Sequence, residues 1–136
     1  MGYEIVWEPR GVSKVFFGHV TAEEFMQSLV MVESDPRFDD LSFVINDFLG
    51  VDSFAVGEDE VLMAAAIDKG AAVSNPNIKV AVLSDDAQIQ ALAELYAASP
   101  LNVYPTATFS DAAQARDWLA RPLPRQAAFR SPIVAR

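Results

Sequence analysis

Apolar residues recur along the chain in alternation or in short runs, and each run predicts a β-strand. Residues 3–7 and 12–20 are joined by Glu8-Pro9-Arg10-Gly11, in which Pro9 and Gly11 have the positions expected for a type I turn. These two runs therefore predict an antiparallel hairpin. Three further runs predict strands at residues 41–48, 78–83 and 103–109. Proline within the last run favours an edge position for that strand.

Helical spacing of apolar residues, combined with capping residues, predicts four helices. Thr21 and Glu24 form a capping-box sequence at the start of the first helix. The second helix covers residues 58–73 and is apolar on several sides, which indicates burial on several sides or cover by a partner. The remaining two helices begin after Asp86 and after Asp111, each of which is a suitable N-cap.

The resulting order, β-β-α-β-α-β-α-β-α, predicts one α/β domain over residues 1–120. Successive strand–helix units imply parallel strands with right-handed crossovers, and the hairpin adds an antiparallel member. The predicted fold class is thus a single mixed β-sheet, with an N-terminal antiparallel hairpin followed by parallel strands and crossover helices. Residues 121–136 are rich in Pro and Arg, which predicts a non-compact tail, either a flexible end or an arm that binds a partner.

Composition and charge exclude several kinds of metal site and one class of partner. The chain has no cysteine and one histidine, His19, so thiolate and multi-histidine metal sites are excluded. The formal net charge of −9 combines −13 in residues 1–120 with +4 in the tail. A nucleic-acid-binding protein requires a basic face, so we expect no nucleic-acid partner.

The helix starts carry acidic residues in place of a phosphate-binding sequence. Neither a G-x-G-x-x-G nor a Walker A sequence is present, and carboxylates lie where an anionic ligand would bind. We therefore expect no nucleotide, no cofactor and no metal site. The chain shows neither a signal-peptide pattern nor an apolar run long enough to span a membrane, so the expected location is cytoplasmic.

Three polar residues are candidates for a role near a site. Asp47 follows a predicted strand, where it could act as a general base or cap the next loop with its side chain. Ser53 and His19 are the candidate members of a hydroxyl–imidazole pair, but the G-x-S-x-G sequence of serine hydrolases is absent. We assign no catalytic residue and predict a protein that is not an enzyme.

Residues 48–57 are predicted as a loop, yet this segment is unusually apolar. One interpretation is that it packs as ordinary core. The other is that it forms a lid over an apolar pocket, or a patch that contacts a membrane or a partner, with Gly50 and Gly57 as candidate hinges. The candidate ligand or lid residues are Phe48, Leu49, Val51, Phe54, Val56 and, on the next helix, Leu62.

With this order of elements, the sequence resembles the SpoIIAA-like family, whose fold is shared by STAS domains and CRAL-TRIO lipid-binding domains. The resemblance covers roughly residues 3–120. The segments that carry it are Val6-Trp7-Glu8-Pro9-Arg10-Gly11, Asp35-Pro36-Arg37-Phe38, Val44-Ile45-Asn46-Asp47-Phe48, Ile78-Lys79-Val80-Ala81-Val82 and residues 110–119. None of them is a catalytic signature.

The resemblance implies two functions. STAS-like antagonists of anti-sigma factors carry a phosphorylated serine at a helix start, and that position falls at about Gly57 here, while Ser53 comes four residues too early. The CRAL-TRIO likeness implies an apolar ligand or a membrane. Our leading hypothesis is a non-enzymatic binding module that takes an apolar, lipid-like ligand or a membrane surface through residues 48–57. The alternative is a STAS-like protein–protein interaction module without the phosphoserine, which includes a homodimer through residues 61–73.

Overall fold

The computed structural model describes residues 2–122, so the predicted tail lies, from residue 123 onwards, outside the described residues. Within that range the order of elements follows the prediction, with an additional 3₁₀ helix at Pro36–Asp40. The strands are β1 (Tyr3–Glu8), β2 (Gly11–Thr21), β3 (Phe43–Ala55), β4 (Lys79–Leu83) and β5 (Thr106–Phe109). The helices are α1 (Ala22–Glu33), α2 (Glu58–Ala71), α3 (Ala87–Ala98) and α4 (Ala112–Leu119).

The five strands form one sheet in the order β1-β2-β3-β4-β5. β1 pairs antiparallel with β2, and the pairs β2–β3, β3–β4 and β4–β5 are parallel. The predicted mixed-sheet α/β class is therefore confirmed. β5 lies at the sheet edge, as predicted, but begins only at Thr106, after Pro105, because proline cannot donate to a strand ladder.

The hairpin turn differs from the predicted type I geometry. Arg10 has a φ of 61°, which is the left-handed value that the third residue of a type II turn adopts. At the next position, Gly11, the available space admits only a residue without a side chain. A Cβ atom at this position would lie 2.0 Å from Cζ of Phe43, far inside van der Waals contact. The ring of Phe43 therefore packs directly on the glycine backbone of β2.

The largest correction concerns the predicted loop at residues 48–57, because most of this segment is strand. β3 continues to Ala55 and stays paired with β2, from Gly11 opposite Phe43 to Thr21 opposite Ala55. Two register shifts, between Val15 and Phe17 and between Gly18 and His19, interrupt the pairing. Such bulges break the alternation of period two, which explains why the segment does not have a strand pattern.

The sheet separates two apolar layers of different size. The larger layer lies between the sheet and the group α1, α2 and α3, and includes Phe16, Val32 and Ile89. The smaller layer lies beneath α4, where Ala115 and Trp118 pack with β3 and β4 residues. The central strands β3 and β4 thus send alternate side chains into the two layers, and the larger layer contains the candidate site.

Candidate ligand-binding cavity

An aromatic cluster fills the end of the larger layer beside the predicted lid segment. Phe48 stacks on Phe16 with ring centroids 4.7 Å apart and an interplanar angle of 14°. Phe54 meets Phe48 edge to face at 5.2 Å and meets Phe25 of α1 in the same way at 6.0 Å. These contacts bury Phe48 and partly bury Phe54 against the core, which agrees for these two residues with the interpretation that the segment packs as core.

A cavity of about 80 Å³ lies next to this cluster, between the sheet and helices α1, α2 and α3. Most of its wall is apolar, with Val80 and Val82 from the sheet and Ile89 from α3. Six side chains with polar groups also line it, two from the sheet, three from the helices and one from the segment before β5. They are Lys14, Asn46, Glu33, Asp68, Tyr96 and Tyr104, of which Tyr104 donates to the backbone carbonyl of Asn75.

Lys14 enters the cavity because of its register in β2. It lies between Val12 and Phe16, both fully buried, so strand alternation directs all three side chains to the same face. Lys14 is only 4% exposed. Among residues 2–122, no hydrogen bond or ion pair holds its ammonium group, and the nearest aromatic contact is the Phe25 ring, with its centroid 5.9 Å away. Burial lowers the pKa of Lys14, and the carboxyls of Asp68 and Glu33 oppose that shift.

Asn46 of β3 is the register neighbour of Lys14 and presents a second polar group without a partner. Its Oδ1 is buried and accepts no hydrogen bond within the described residues. Buried polar atoms in folded proteins are almost always hydrogen-bonded, so an exception calls for a water, an ion or a ligand. A potential donor on Lys14 and an acceptor on Asn46 therefore lie side by side in the cavity wall.

The helices contribute a hydrogen-bonded acidic group. The hydroxyl group of Tyr96, on α3, donates a hydrogen bond to Oδ2 of Asp68 on α2. Burial, followed by a hydrogen bond and charge repulsion from Asp68, raises the pKa of Glu33 to about 9. Glu33 at the end of α1 therefore carries a proton near neutral pH, which lets two carboxyls share one buried site. Burial also raises the pKa of Tyr96.

Cavity size limits what this arrangement can hold. An apolar cavity of about 150 Å³ is large enough for benzene, and a water needs about 10–15 Å³. The present cavity has about half of the benzene-binding volume. It can hold a few waters or a small organic molecule, whereas a long acyl chain would require it to enlarge.

The structure distributes the predicted ligand residues over different environments. Phe48 and Phe54 line the cavity, whereas Leu49, Val51, Val56 and Leu62 are not among its lining residues. Leu49 and Leu62 are partly exposed, and Val56 is buried. The two candidate hinges lie in β3, where Gly50 pairs with Phe17, and at the N-cap of α2, where Gly57 precedes Glu58. A hinge role for them stays a prediction.

The predicted polar candidates lie together in part, but not at the cavity. Nδ1 of His19 is 2.6 Å from Oγ of Ser53, and both residues are exposed. Oδ1 of Asp47 accepts a hydrogen bond from the backbone N–H of Leu49 at 3.0 Å. Of the two roles considered for Asp47, general base or side-chain cap, this contact corresponds to the cap. Among residues 2–122, no cluster of three or more metal-ligating side chains occurs.

Sequence reasoning missed the polar residues of the cavity, although two of them had a signal. Lys14 lies between two apolar residues of a predicted strand, and Asn46 lies between Val44 and Phe48 in the same way. Each position therefore belongs to the buried face of its strand by parity. The three helical members, Glu33, Asp68 and Tyr96, come from separate helices and carry no such signal.

Acidic side chains occupy the described helix starts. Glu24 accepts from the backbone N–H groups of Gly2 and Thr21, and Glu60 accepts from that of Gly57 at 2.7 Å. Asp86 accepts from two backbone N–H groups of α3. The contacts of Asp86 therefore use first-turn donors of α3 that would otherwise be available to an anionic ligand. Within residues 2–122, none of the helices is both long enough and apolar enough to cross a membrane.

Comparison with known proteins identifies the architecture. No protein-family model and no curated protein sequence matches the chain. Among solved structures, it is similar to an uncharacterized protein of the DUF3478 family with a SpoIIAA-like fold from Shewanella loihica PV-4. That match has a TM-score of 0.53 and 18% identity over 87% of this chain and 92% of the other.

A second similar structure is the anti-sigma factor antagonist SpoIIAA in its unphosphorylated form. The TM-score is 0.58 with 8% identity, over 86% of this chain and 96% of that one. At such identities the likeness concerns architecture alone, and it agrees with the strand order and the mixed pairing described above. The chain therefore has the SpoIIAA-like fold.

Proposed function

We propose that this protein is a regulatory module that acts by binding, and that its cavity takes a small, mostly apolar molecule with one polar group. The observation that carries the proposal is a pair of polar groups in a mostly apolar cavity, the Lys14 amine and Oδ1 of Asn46, which find no hydrogen-bond partner among residues 2–122. Ligand sites commonly combine apolar walls with a few placed polar groups.

The energetics favour a ligand with a hydrogen-bonding group. A buried polar atom left without a hydrogen bond destabilises a fold by about 1–3 kcal/mol. One hydroxyl group could accept from Lys14 and donate to Asn46 at the same time, because these residues are neighbours in register. Bound water could do the same, so the experiment must distinguish an organic ligand from water.

The surroundings of the other candidate residues support a function without catalysis. His19 and Ser53 are in contact but exposed, and a hydroxyl nucleophile also needs a third group that orients the histidine. Asp47 already accepts a hydrogen bond from its own strand. A cytoplasmic location, with or without contact to a membrane, belongs to the same proposal.

The proposal is tested with a variant in which a larger side chain on α2 fills the cavity. Ala64 is buried and lines the cavity, whereas Ala66 on the same helix is exposed. We expect NMR titration of the wild-type protein with butanol to shift the amide signals of residues around the cavity. Ala64→Leu should abolish these shifts and Ala66→Leu should leave them, with circular dichroism confirming that both variants fold. Equal responses from the two variants would refute binding in the cavity.

A second candidate function is protein–protein interaction of the STAS type. The specific observation is a set of apolar side chains on the outer sides of α1 and α2, where Val30, Met31 and Met63 are each about half exposed. The helix start at Gly57 has no hydroxyl group and is followed by Glu58 and Asp59, which supports a module without a phosphoserine.

Light scattering tests the homodimer form of this second function. A dimer through α2 should become a monomer in Met63→Glu, since a carboxylate in an apolar interface is strongly unfavourable. Lys69→Glu, at another exposed position of α2, is the control for added negative charge. A wild-type protein that is monomeric at all concentrations would exclude the homodimer.

A further inference from the structure

The three lysines of the chain occupy three different environments. Lys69 is exposed on α2. Lys79 is buried, and its Nζ donates to the carbonyl oxygens of Trp118 at 2.5 Å and Arg121 at 3.0 Å. Lys14 is equally buried, but its Nζ faces the cavity without a hydrogen bond from residues 2–122. An amine that is buried and not engaged is the environment in which lysine becomes a nucleophile.

We propose that the side-chain amine of Lys14 forms an imine with a small apolar aldehyde or ketone bound in the cavity. This inference rests on the proposed function, because it requires a molecule in the same cavity. It specifies the polar group of that ligand as a carbonyl. It also assigns Lys14 a covalent role in holding the ligand. A carbonyl cannot donate to Oδ1 of Asn46, so the donors available to that atom are the hydroxyl of the carbinolamine and the N–H of the protonated imine.

The proposed step balances without an oxidant or reductant. The nitrogen lone pair of neutral Lys14 attacks the carbonyl carbon, a C–N bond forms, and the carbonyl π pair moves to oxygen. One proton passes from nitrogen to that oxygen, which gives a carbinolamine. The C–O bond then breaks, the hydroxyl leaves with a second proton as water, and the nitrogen lone pair completes the C=N bond. The products are the imine and one water molecule.

The cavity contains the groups that this proton transfer needs. The Glu33 carboxyl carries a proton and lines the same cavity, so it can donate to the departing hydroxyl and afterwards recover a proton from nitrogen. Asp68 and Tyr96 face the cavity from α2 and α3 and are hydrogen-bonded to each other. Burial lowers the pKa of Lys14, and each unit of lowering raises the neutral amine fraction about tenfold at neutral pH.

Reductive trapping tests the proposal on the whole chain. The protein is incubated with butanal and sodium cyanoborohydride, and the modified lysines are identified by peptide mass spectrometry. We expect Lys14 to be modified faster than exposed Lys69, by about tenfold for each unit of pKa lowering. It should also be modified faster than Lys79, whose pKa is lowered by burial too but whose Nζ is held by two carbonyls outside the cavity. Lys79 is the matched control, because it is buried to a similar degree but hydrogen-bonded.

Three variants keep the test decisive. Lys14→Arg and Lys14→Met should remove the fast modification, and Ala64→Leu should suppress it although Lys14 is still present. Modification at equal rates on all three lysines, or fast modification that persists in Ala64→Leu, would overturn the proposal.

Failure of the imine and failure of the cavity are distinguishable. Butanol has a similar size to butanal but cannot form an imine. If butanol binds to the cavity by NMR while butanal leaves Lys14 unmodified, the imine is refuted and the proposed function stands. If neither molecule binds, both are refuted.

Discussion

The two faces of the sheet each bury one lysine, and the two lysines have opposite surroundings. Beneath α4, Lys79 donates to two backbone carbonyls, and its Nζ lies 4.2 Å from the centroid of the Trp118 ring. Beneath α1, α2 and α3, Lys14 has a similarly small exposed fraction but faces a cavity. The residue type is the same and both side chains are largely shielded from solvent, but their partners differ.

This difference separates a structural lysine from one available to a ligand. The last carbonyls of a helix have no partner within the helix, and cations near a helix C-terminus satisfy them. Lys79 does this for α4, whose last residue is Leu119. No such need explains Lys14, which lies beside helix side chains rather than a helix end. The comparison therefore predicts opposite signs when the two lysines are removed.

The largest effect is expected for Lys79→Met. Methionine keeps the apolar stem but removes the donor to the carbonyl of Arg121, and it leaves the carbonyl of Trp118 with only the backbone N–H of Arg121. Hydrogen bonds to a charged group contribute about 1.5–3 kcal/mol each in favourable cases, so we expect the free energy of unfolding to fall by about 2–3 kcal/mol. Urea denaturation measures the change, and Lys69→Met is the exposed control. A loss no greater than that of the control would show that Lys79 does not hold α4.

Lys14→Met should change stability in the opposite direction. Replacement of a buried charged group by an apolar side chain of similar volume is often neutral or stabilising, and within residues 2–122 Lys14 has no hydrogen bond to lose. We expect the free energy of unfolding to rise by about 1 kcal/mol, measured by the same urea titration. A clear loss of stability would mean that Lys14 is held by Glu33 and Asp68 as a structural ion group, which would remove the contrast with Lys79.

Much of the fold could be predicted from the sequence, because each element carries a local signal. The turn around Pro9 and the capping residues Thr21 and Asp111 predict where elements begin and end. The prediction was wrong for residues 49–55, where two bulges break the strand pattern and only pairing with β2 reveals a strand.

The candidate site could be predicted only in part, for a physical reason. Phe48 and Phe54 were predicted ligand residues and line the cavity. Lys14 could have been found from strand parity with its buried neighbours. The contact between Tyr96 and Asp68 depends on how α3 docks beside α2, which is a tertiary result that no local pattern contains.

A pH titration of stability sharpens the comparison at the cavity. Folding raises the pKa of Glu33 to about 9. At any pH between the ordinary pKa of a glutamate and 9, the folded state therefore binds more protons than the unfolded chain. The stabilisation is fully present at low pH, and stability should fall as pH rises from about 5 towards 9. The pKa of Lys14 is lowered in the fold, so this residue makes stability rise with pH, but only at pH values between its lowered pKa and its ordinary pKa.

Glu33→Gln isolates this effect, since glutamine keeps the shape and cannot titrate. Thermal unfolding between pH 5 and 8 should show a smaller decrease with pH in this variant than in the wild type. Glu58→Gln, an exposed position on α2, is the control. An unchanged slope in Glu33→Gln would mean that Glu33 ionises normally and that the carboxyls in the cavity share no proton.

The smallest effect is expected at the second contact of α4, the ion pair between Arg116 and Glu8. The pair is bidentate, at 2.8 and 2.6 Å, but its side chains are 48% and 27% exposed. Exposed pairs contribute about 0.2–1 kcal/mol, and salt screens them. Arg116→Met should therefore lower the free energy of unfolding by less than about 1 kcal/mol, and the loss should shrink as salt is added. The loss in Lys79→Met should persist in salt, because that lysine is buried. If the two variants responded equally to salt, the anchoring of α4 would be a surface effect, and Lys79 would no longer be a structural reference for Lys14.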